Sequence, residues 1–321
     1  MNSITLFFKQ LSVEVYSVTT TLFKIMIPMI IIMKVVEEMG GLVLLGALLA
    51  PLMNFVGLPS EMGIVWATTL LTNIYTGIII FINLDTSLSV AQITILCSMM
   101  LLAHGLPIEA SIAKKAGVSL WATLVIRIGG SFALAWLQHQ FYRYSEQGQE
   151  AAVIVWQQES NQDIGYLAWF VGQLENLAMT FVVIAALMFV LKILKLTGFE
   201  RLLIMLLQPL FKLIGIGKEA ANLAIIGITL GLSLGGGLLI NGAKKGTISR
   251  YEIFITIMML NLLHSVIEDT LLIMLLGADF NMVFWGRIIF TFIVIITLSM
   301  VIRRYSHWNR ANLARLNKTT E

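Results

Sequence analysis

The chain has 321 residues and a net charge of +3; 58% of its residues are hydrophobic and 12% charged, and its mean hydropathy is +0.88. Soluble domains carry about 25% charged residues, so the composition excludes an ordinary water-facing surface and leaves the bilayer as the suitable solvent. A charge this small gives no signal for nucleic acid, and a single cysteine, Cys97 in an apolar run, excludes an internal disulfide, a redox pair and a cysteine metal cluster.

Residues 1–17, MNSITLFFKQLSVEVYS, lack the basic, apolar and cleavage-site order of a signal peptide and read as a retained amphipathic helix. A crossing needs about 17 to 25 mostly apolar residues. Such runs lie near 18–36, 61–82, 88–104, 118–137, 166–191, 219–240, 251–268 and 282–302. Two shorter runs, 41–56 and 202–216, contain Pro51 and Pro209 and read as slanted, re-entrant or interfacial helices. Counted as crossings, they bring the total to about ten.

Charge in the loops orients the chain. Lys114 and Lys115, then Lys244, Lys245 and Arg250, then the basic tail at 303–321 all belong in the cytoplasm by the positive-inside tendency. Ten crossings satisfy the three together and make both termini cytoplasmic. The linker at 138–165 is then extracytoplasmic, where Glu146, Glu150, Glu159 and Asp163 outweigh Arg143. Its apolar stretch AAVIVW, 151–156, is too short to span and reads as packing on the outer surface.

The two halves repeat. A shift of 158 aligns Lys34 with Lys192, Gly40 with Gly198, Pro51 with Pro209, Gly57 with Gly215 and Glu61 with Glu219. A shift of 160 then aligns His104 with His264, Glu109 with Asp269 and Arg127 with Arg287. Apolar runs align with almost anything, but these residues within them do not, so 18–137 and 166–302 read as two copies of one unit. An odd number of crossings per copy makes them inverted in the membrane. The expected fold is therefore an all-α integral membrane protein with about ten segments in two inverted five-segment repeats containing short or broken helices, an architecture of secondary transporters.

Ionisable groups inside spans cost at least about 2.5 kcal/mol each and normally face a partner, cavity or substrate. His104 ends a span before Gly105, Pro107 and Glu109; MMLNLLHSVIED at 258–269 holds Asn261, His264, Glu268 and Asp269. If that second stretch stays helical, Asn261, His264 and Glu268 share a face. Arg127 and Arg287 lie too deep to snorkel and call for carboxylates: Glu109 for the first, Asp269 or Glu268 for the second. Two readings stand side by side, a pair of structural ion pairs and a substrate or proton site with His104 and His264 as the proton carriers. Gly235, Gly236 and Gly237 permit either an unwound segment or close helix contact, and Asn73 sits in the matching region of the first copy. No nucleotide-binding loop or hydrolase motif is present, so neither a cofactor nor an enzyme is expected.

The succession PLMNFVGLPSE and PLFKLIGIGKE, each followed by a polar-interrupted span and then by AHGLPIEA or LHSVIED, resembles the nucleoside-recognition or Gate domain. That domain recurs in concentrative nucleoside transporters, in the membrane part of bacterial ferrous iron permeases and in the spore maturation proteins A and B. The resemblance implies a fused pair of Gate units in a prokaryotic inner membrane. It further implies a transport-like fold without fixing the substrate; taken with the inverted repeats and the charges inside the spans, the expected function is an ion-coupled secondary transporter, using a proton or sodium, for a polar or anionic solute, nucleoside-like or lipid-linked. The GTP-binding domain of the iron permeases is missing, which argues against iron. Membrane lipids and a homodimer partner are compatible with such a unit. A non-transporting scaffold for cell-envelope enzymes is the alternative.

Overall fold

A computed structural model describes residues 3–84, 86–155, 165–245 and 248–318; Glu159 and Asp163 of the loop-charge argument lie outside them. The regular elements there are helices, with one isolated bridge between Ser89 and Ala151. The first half runs α1 (Ser3–Glu38), α2 (Gly41–Phe55), α3 (Met62–Leu71), α4 (Ile74–Asn83), α5 (Val90–Leu102), α6 (Leu106–Lys115), α7 (Leu120–Leu124) and α8 (Gly130–Ser145). The second runs α9 (Tyr166–Leu196), α10 (Phe199–Ile214), α11 (Lys218–Leu230), α12 (Leu232–Lys245), α13 (Arg250–Leu262), α14 (Glu268–Met274) and α15 (Arg287–Lys318). A π-helical turn joins α7 to α8 at Val125–Gly129, and another precedes α15 at Asn281–Gly286. The order of long, medium, two short, two short and long thus recurs in both halves.

Among the described residues, five stretches are long and apolar enough to cross a membrane: Thr5–Val36, Val90–Lys115, Leu120–Ser145, Tyr166–Ile193 and Asn281–Arg304. In an 18-residue apolar window within Val90–Lys115 83% of the residues are buried, against 20% and 22% in the windows within Thr5–Val36 and Tyr166–Ile193, so the broken pair α5/α6 forms the centre and α1 and α9 the outside. Identical punctuation starts the central pieces of both halves. Ser89 and Gln92 cap α5 reciprocally, as Ser249 and Glu252 cap α13, and 160 positions separate these capping boxes.

Residues 61–82 and 219–240, expected to be crossings, are instead helical hairpins. Helices α3 and α4 have 10 residues each, about 15 Å and half of a hydrocarbon core. At the break Asn73 turns extended, and its Oδ1 accepts from the Thr76 amide at 3.0 Å and the Thr76 hydroxyl at 3.2 Å. The chain then doubles back, because a Cβ on Gly77 would overlap Thr69 Oγ1. In one continuous helix those residues would be about 12 Å apart. In the second half the reversal falls at Gly231, with φ +93°, and a Cβ on Gly235 would overlap the Gly227 backbone. The contact pairs Thr69/Gly77 and Gly227/Gly235 keep the 158-residue shift.

Gly235, Gly236 and Gly237 therefore do not interrupt a helix; all three lie within α12, and the break comes one turn earlier. Gly235 serves the close-contact reading. The backbone of Gly231, at φ +93° and ψ 161°, occupies a region open essentially to glycine, and a Cβ there would also meet Ser265 Oγ at 2.9 Å. Gly231→Ala is expected to cost at least about 1 kcal/mol, read as a lower thermal midpoint in detergent.

Helices α2 and α10 return to faces that other elements fix. Gly57, just after α2, lies against His139 in the second half of α8. Gly215, just after α10, lies against Arg303 of α15, whose Nη2 donates to the Ile214 carbonyl. Leu207, Phe211 and Ile214 of α10 are buried while Leu206 and Leu213 are exposed, so one face of this helix packs on the protein.

Candidate functional site

Helices α5 and α13 both end by running into a histidine. His104 and His264 are 160 positions apart, and each turns its Nδ1 to the carbonyl four residues back, Met100 O at 3.0 Å and Leu260 O at 2.8 Å. Each ring thereby projects Nε2 into the centre, where the two Nε2 atoms meet at 3.0 Å and the ring centroids at 4.8 Å. Glu109, in the first turn of α6, places Oε1 3.1 Å from His264 Nε2 and 3.5 Å from His104 Nε2. Asp269, at the start of α14, brings Oδ2 to 3.9 Å from His104 Nε2. The contacts are crossed, since the acid of each half reaches the histidine of the other.

The arginines hold the broken ends. Arg127 is fully buried; it pairs through Nη1 with Glu109, donates to Asn261 O at 3.2 Å and, through Nη2, to His104 O at 2.6 Å. Arg287 is fully buried as well and donates to Leu262 O at 2.9 Å and His264 O at 3.1 Å. Each arginine thus caps the helix whose histidine lies 23 positions before it. The expected Arg127–Glu109 pair is present. The expected pairing of Arg287 with Asp269 or Glu268 is not: among the described residues Arg287 makes hydrogen bonds to carbonyls and no ion pair. Its Nε and Nη2 go to carbonyls freed where α13 ends, and Nη1 has no hydrogen-bond partner.

The hairpins touch these same breaks. The Gly105 amide donates to Thr69 O of α3 at 3.1 Å, and the Val266 amide donates to Ile228 O of α11 at 2.8 Å. Two hairpin tips and two broken helices therefore converge on one buried polar cluster.

No known family profile matches the chain, and no solved structure matches it. It is similar to the uncharacterized membrane protein YvoD of Bacillus subtilis (strain 168), with 26% identity over 266 residues, covering 82% of this chain and 84% of that protein. The chain is a membrane protein, and the regular elements of its described residues are helices. In that setting the roles of the arginines acquire a physical reason. Within a bilayer a carbonyl at a helix break has no water to bond, and each unsatisfied group costs several kcal/mol; a guanidinium offers five donors in one fork.

The remaining residues singled out in the sequence lie around this centre in different ways. Asn261 is buried and contributes its carbonyl, while its side-chain amide has no hydrogen-bond partner. The stretch 258–269 is not one helix: α13 stops at Leu262, Ser265 takes φ +44°, and Glu268 opens α14. The expected face of Asn261, His264 and Glu268 is therefore broken up, with His264 past the end of α13 and Glu268 on α14 beside Asp269 and Tyr75. Asn73 caps a hairpin helix, leaving its own Nδ2 unpartnered. Gly236 packs α12 onto Ile112 of α6. Tyr75, buried beside the two acids, was visible in the sequence only as part of a polar interruption.

Proposed function

We propose that the chain is an ion-coupled secondary transporter of a prokaryotic cytoplasmic membrane, moving a polar or anionic small solute by alternating access between two inverted halves. The observation that carries the reading is the convergence of two hairpin tips and two broken helices on the cluster of His104, Glu109, Arg127, His264, Asp269 and Arg287. Unwound backbone and half-helix ends gathered at such a cluster are the means by which secondary transporters hold solutes and ions.

The hairpins change the expected count of crossings. If α3/α4 and α11/α12 enter and leave on one side, and α2 and α10 lie along the surface, each half crosses three times, with α5/α6 and α13/α14 as broken crossings. Ten crossings separate Gly57 from His139 and Gly215 from Arg303 by the whole membrane; six crossings put each contacting pair on one side. Three is odd, so the halves are still inverted. The loops with Lys114 and Lys115, the loop before Arg250 and the tail after Arg303 all remain on the cytoplasmic side.

A panel of nucleosides, nucleotides, organic acids and lipid head groups, screened by thermal shift on purified protein, tests the reading. A bound solute at a hundred times its Kd is expected to add about 2.7 kcal/mol of stability. His264→Ala is expected to remove that gain while leaving folded protein, and loss of uptake in proteoliposomes should accompany it. Silence across the panel, with a folded control, counts against transport. It would favour the scaffold reading, which has its own support in the exposed Val153 and Val155 of the linker, 79% and 68% accessible.

A further inference from the structure

We propose that His104, His264 and Glu109 form a binding site for a divalent transition-metal ion of the zinc type, with Asp269 at the fourth position. Neither cysteine spacing nor any short sequence motif marks it, because its ligands come from α6 and from the ends of two helices 160 positions apart.

The first argument is hydrogen-bond chemistry. Carbonyl oxygens only accept, so the bonds to Met100 O and Leu260 O put the proton on Nδ1 of both rings. In the neutral rings both Nε2 atoms then present lone pairs, to each other at 3.0 Å and to the Glu109 carboxylate at 3.1 and 3.5 Å. Three acceptors facing one another at these distances repel unless a proton or a metal ion lies among them, and a proton bridges two of the three where a metal ion reaches all three. A Nδ1–H held by a backbone carbonyl is also the usual outer support of a metal-bound histidine, fixing both tautomer and ring orientation.

The second argument is size. Zinc bonds of about 2.0–2.1 Å in a tetrahedron hold ligand atoms about 3.3 Å apart. The three edges here are 3.0, 3.1 and 3.5 Å. One ion above that triangle reaches all three atoms without any rearrangement of the backbone. Asp269 Oδ2 is buried, has no hydrogen-bond partner and stands 3.9 Å from His104 Nε2, aimed into the same space.

The third argument is donor type. Two imidazoles and a carboxylate favour first-row transition ions, whereas magnesium and calcium prefer oxygen-only shells. The site stands on this geometry and does not depend on transport.

The experiment is a Zn²⁺ titration of the full chain, purified in detergent and stripped with a chelator, followed by calorimetry and metal analysis after desalting. Co²⁺ replaces Zn²⁺ in a parallel sample, so that its visible absorption reports tetrahedral nitrogen and oxygen ligation. One tightly held ion per folded chain is expected, together with a tetrahedral Co²⁺ spectrum. His264→Ala and His264→Gln are each expected to weaken Zn²⁺ binding at least about 100-fold, and Asp269→Asn to alter the Co²⁺ spectrum. Circular dichroism and gel filtration identify the variants that remain folded. The proposal is overturned if folded wild type retains no ion after desalting, or if both folded His264 variants bind Zn²⁺ as wild type does. Since the readout is binding, a failure here leaves the solute screen unaffected, and a silent solute screen leaves the metal site standing.

Discussion

Arg127→Ala is expected to produce the largest loss of stability of any single substitution in the chain, about 3–5 kcal/mol. Removing the guanidinium strands three buried acceptors together: the Glu109 carboxylate, the His104 carbonyl and the Asn261 carbonyl. Lysine is not expected to rescue it, because a single ammonium lacks the planar fork that reaches carboxylate and carbonyls together. Adding Glu109→Gln to Arg127→Ala should restore part of the loss by removing the unpaired charge. Arg287→Ala should cost less, as it strands two carbonyls and breaks no ion pair. Thermal midpoints of the four variants in one detergent check the ranking. An Arg127→Ala midpoint equal to that of wild type would mean that the guanidinium does not hold the break.

Gly235→Ala and Gly237→Ala are expected to have opposite signs, although the two residues are neighbours in a glycine run. A Cβ at Gly235 would overlap the backbone of Gly227 across the hairpin, where no side-chain rotation can relieve it, whereas one at Gly237 would meet nothing within 4 Å. Splaying α11 from α12 is expected to cost about 2–3 kcal/mol. Alanine at 237 should instead gain up to about 1 kcal/mol of helix propensity. Equal midpoints for the two variants would contradict the close packing of the hairpin.

The pattern of ionisable residues was the most legible part of the sequence. His104, Glu109, Arg127, His264, Asp269 and Arg287 stood out because charge inside apolar runs is costly, and the 160-residue shift that pairs them recurs in the two arginine caps and the two capping boxes. What the arginines hold was half legible. A buried arginine calls for acceptors, and carboxylates are the acceptors a sequence displays; the carbonyls of His104, Asn261, Leu262 and His264 become available only because α5 and α13 break there. Residue type carries no trace of such backbone vacancies.

The hairpins were not legible from hydropathy. Twenty-odd apolar residues give the same profile whether they cross once or fold in two. The signals that decide between these are small: one glycine at φ +93° and an asparagine that caps its own following helix. The run of three glycines masks Gly231 in the sequence, because composition reports how many glycines are present and not which one the backbone requires. The cross-half contact of the histidines was likewise hidden, since the sequence shows equivalence between positions 160 apart but not proximity.

Glu61 and Glu219 provide the most direct measurement of the central claim, two inverted halves whose hairpins enter from opposite sides. They are equivalent in the 158-residue register, both are exposed, and each stands at the mouth of its hairpin. In a Cys97→Ala background, Glu61→Cys is expected to react with a membrane-impermeant maleimide in intact cells. Glu219→Cys should react only after the membrane is opened. Labelling on the same side for both would contradict inversion, and the reversed pattern would restore ten crossings in place of the hairpins.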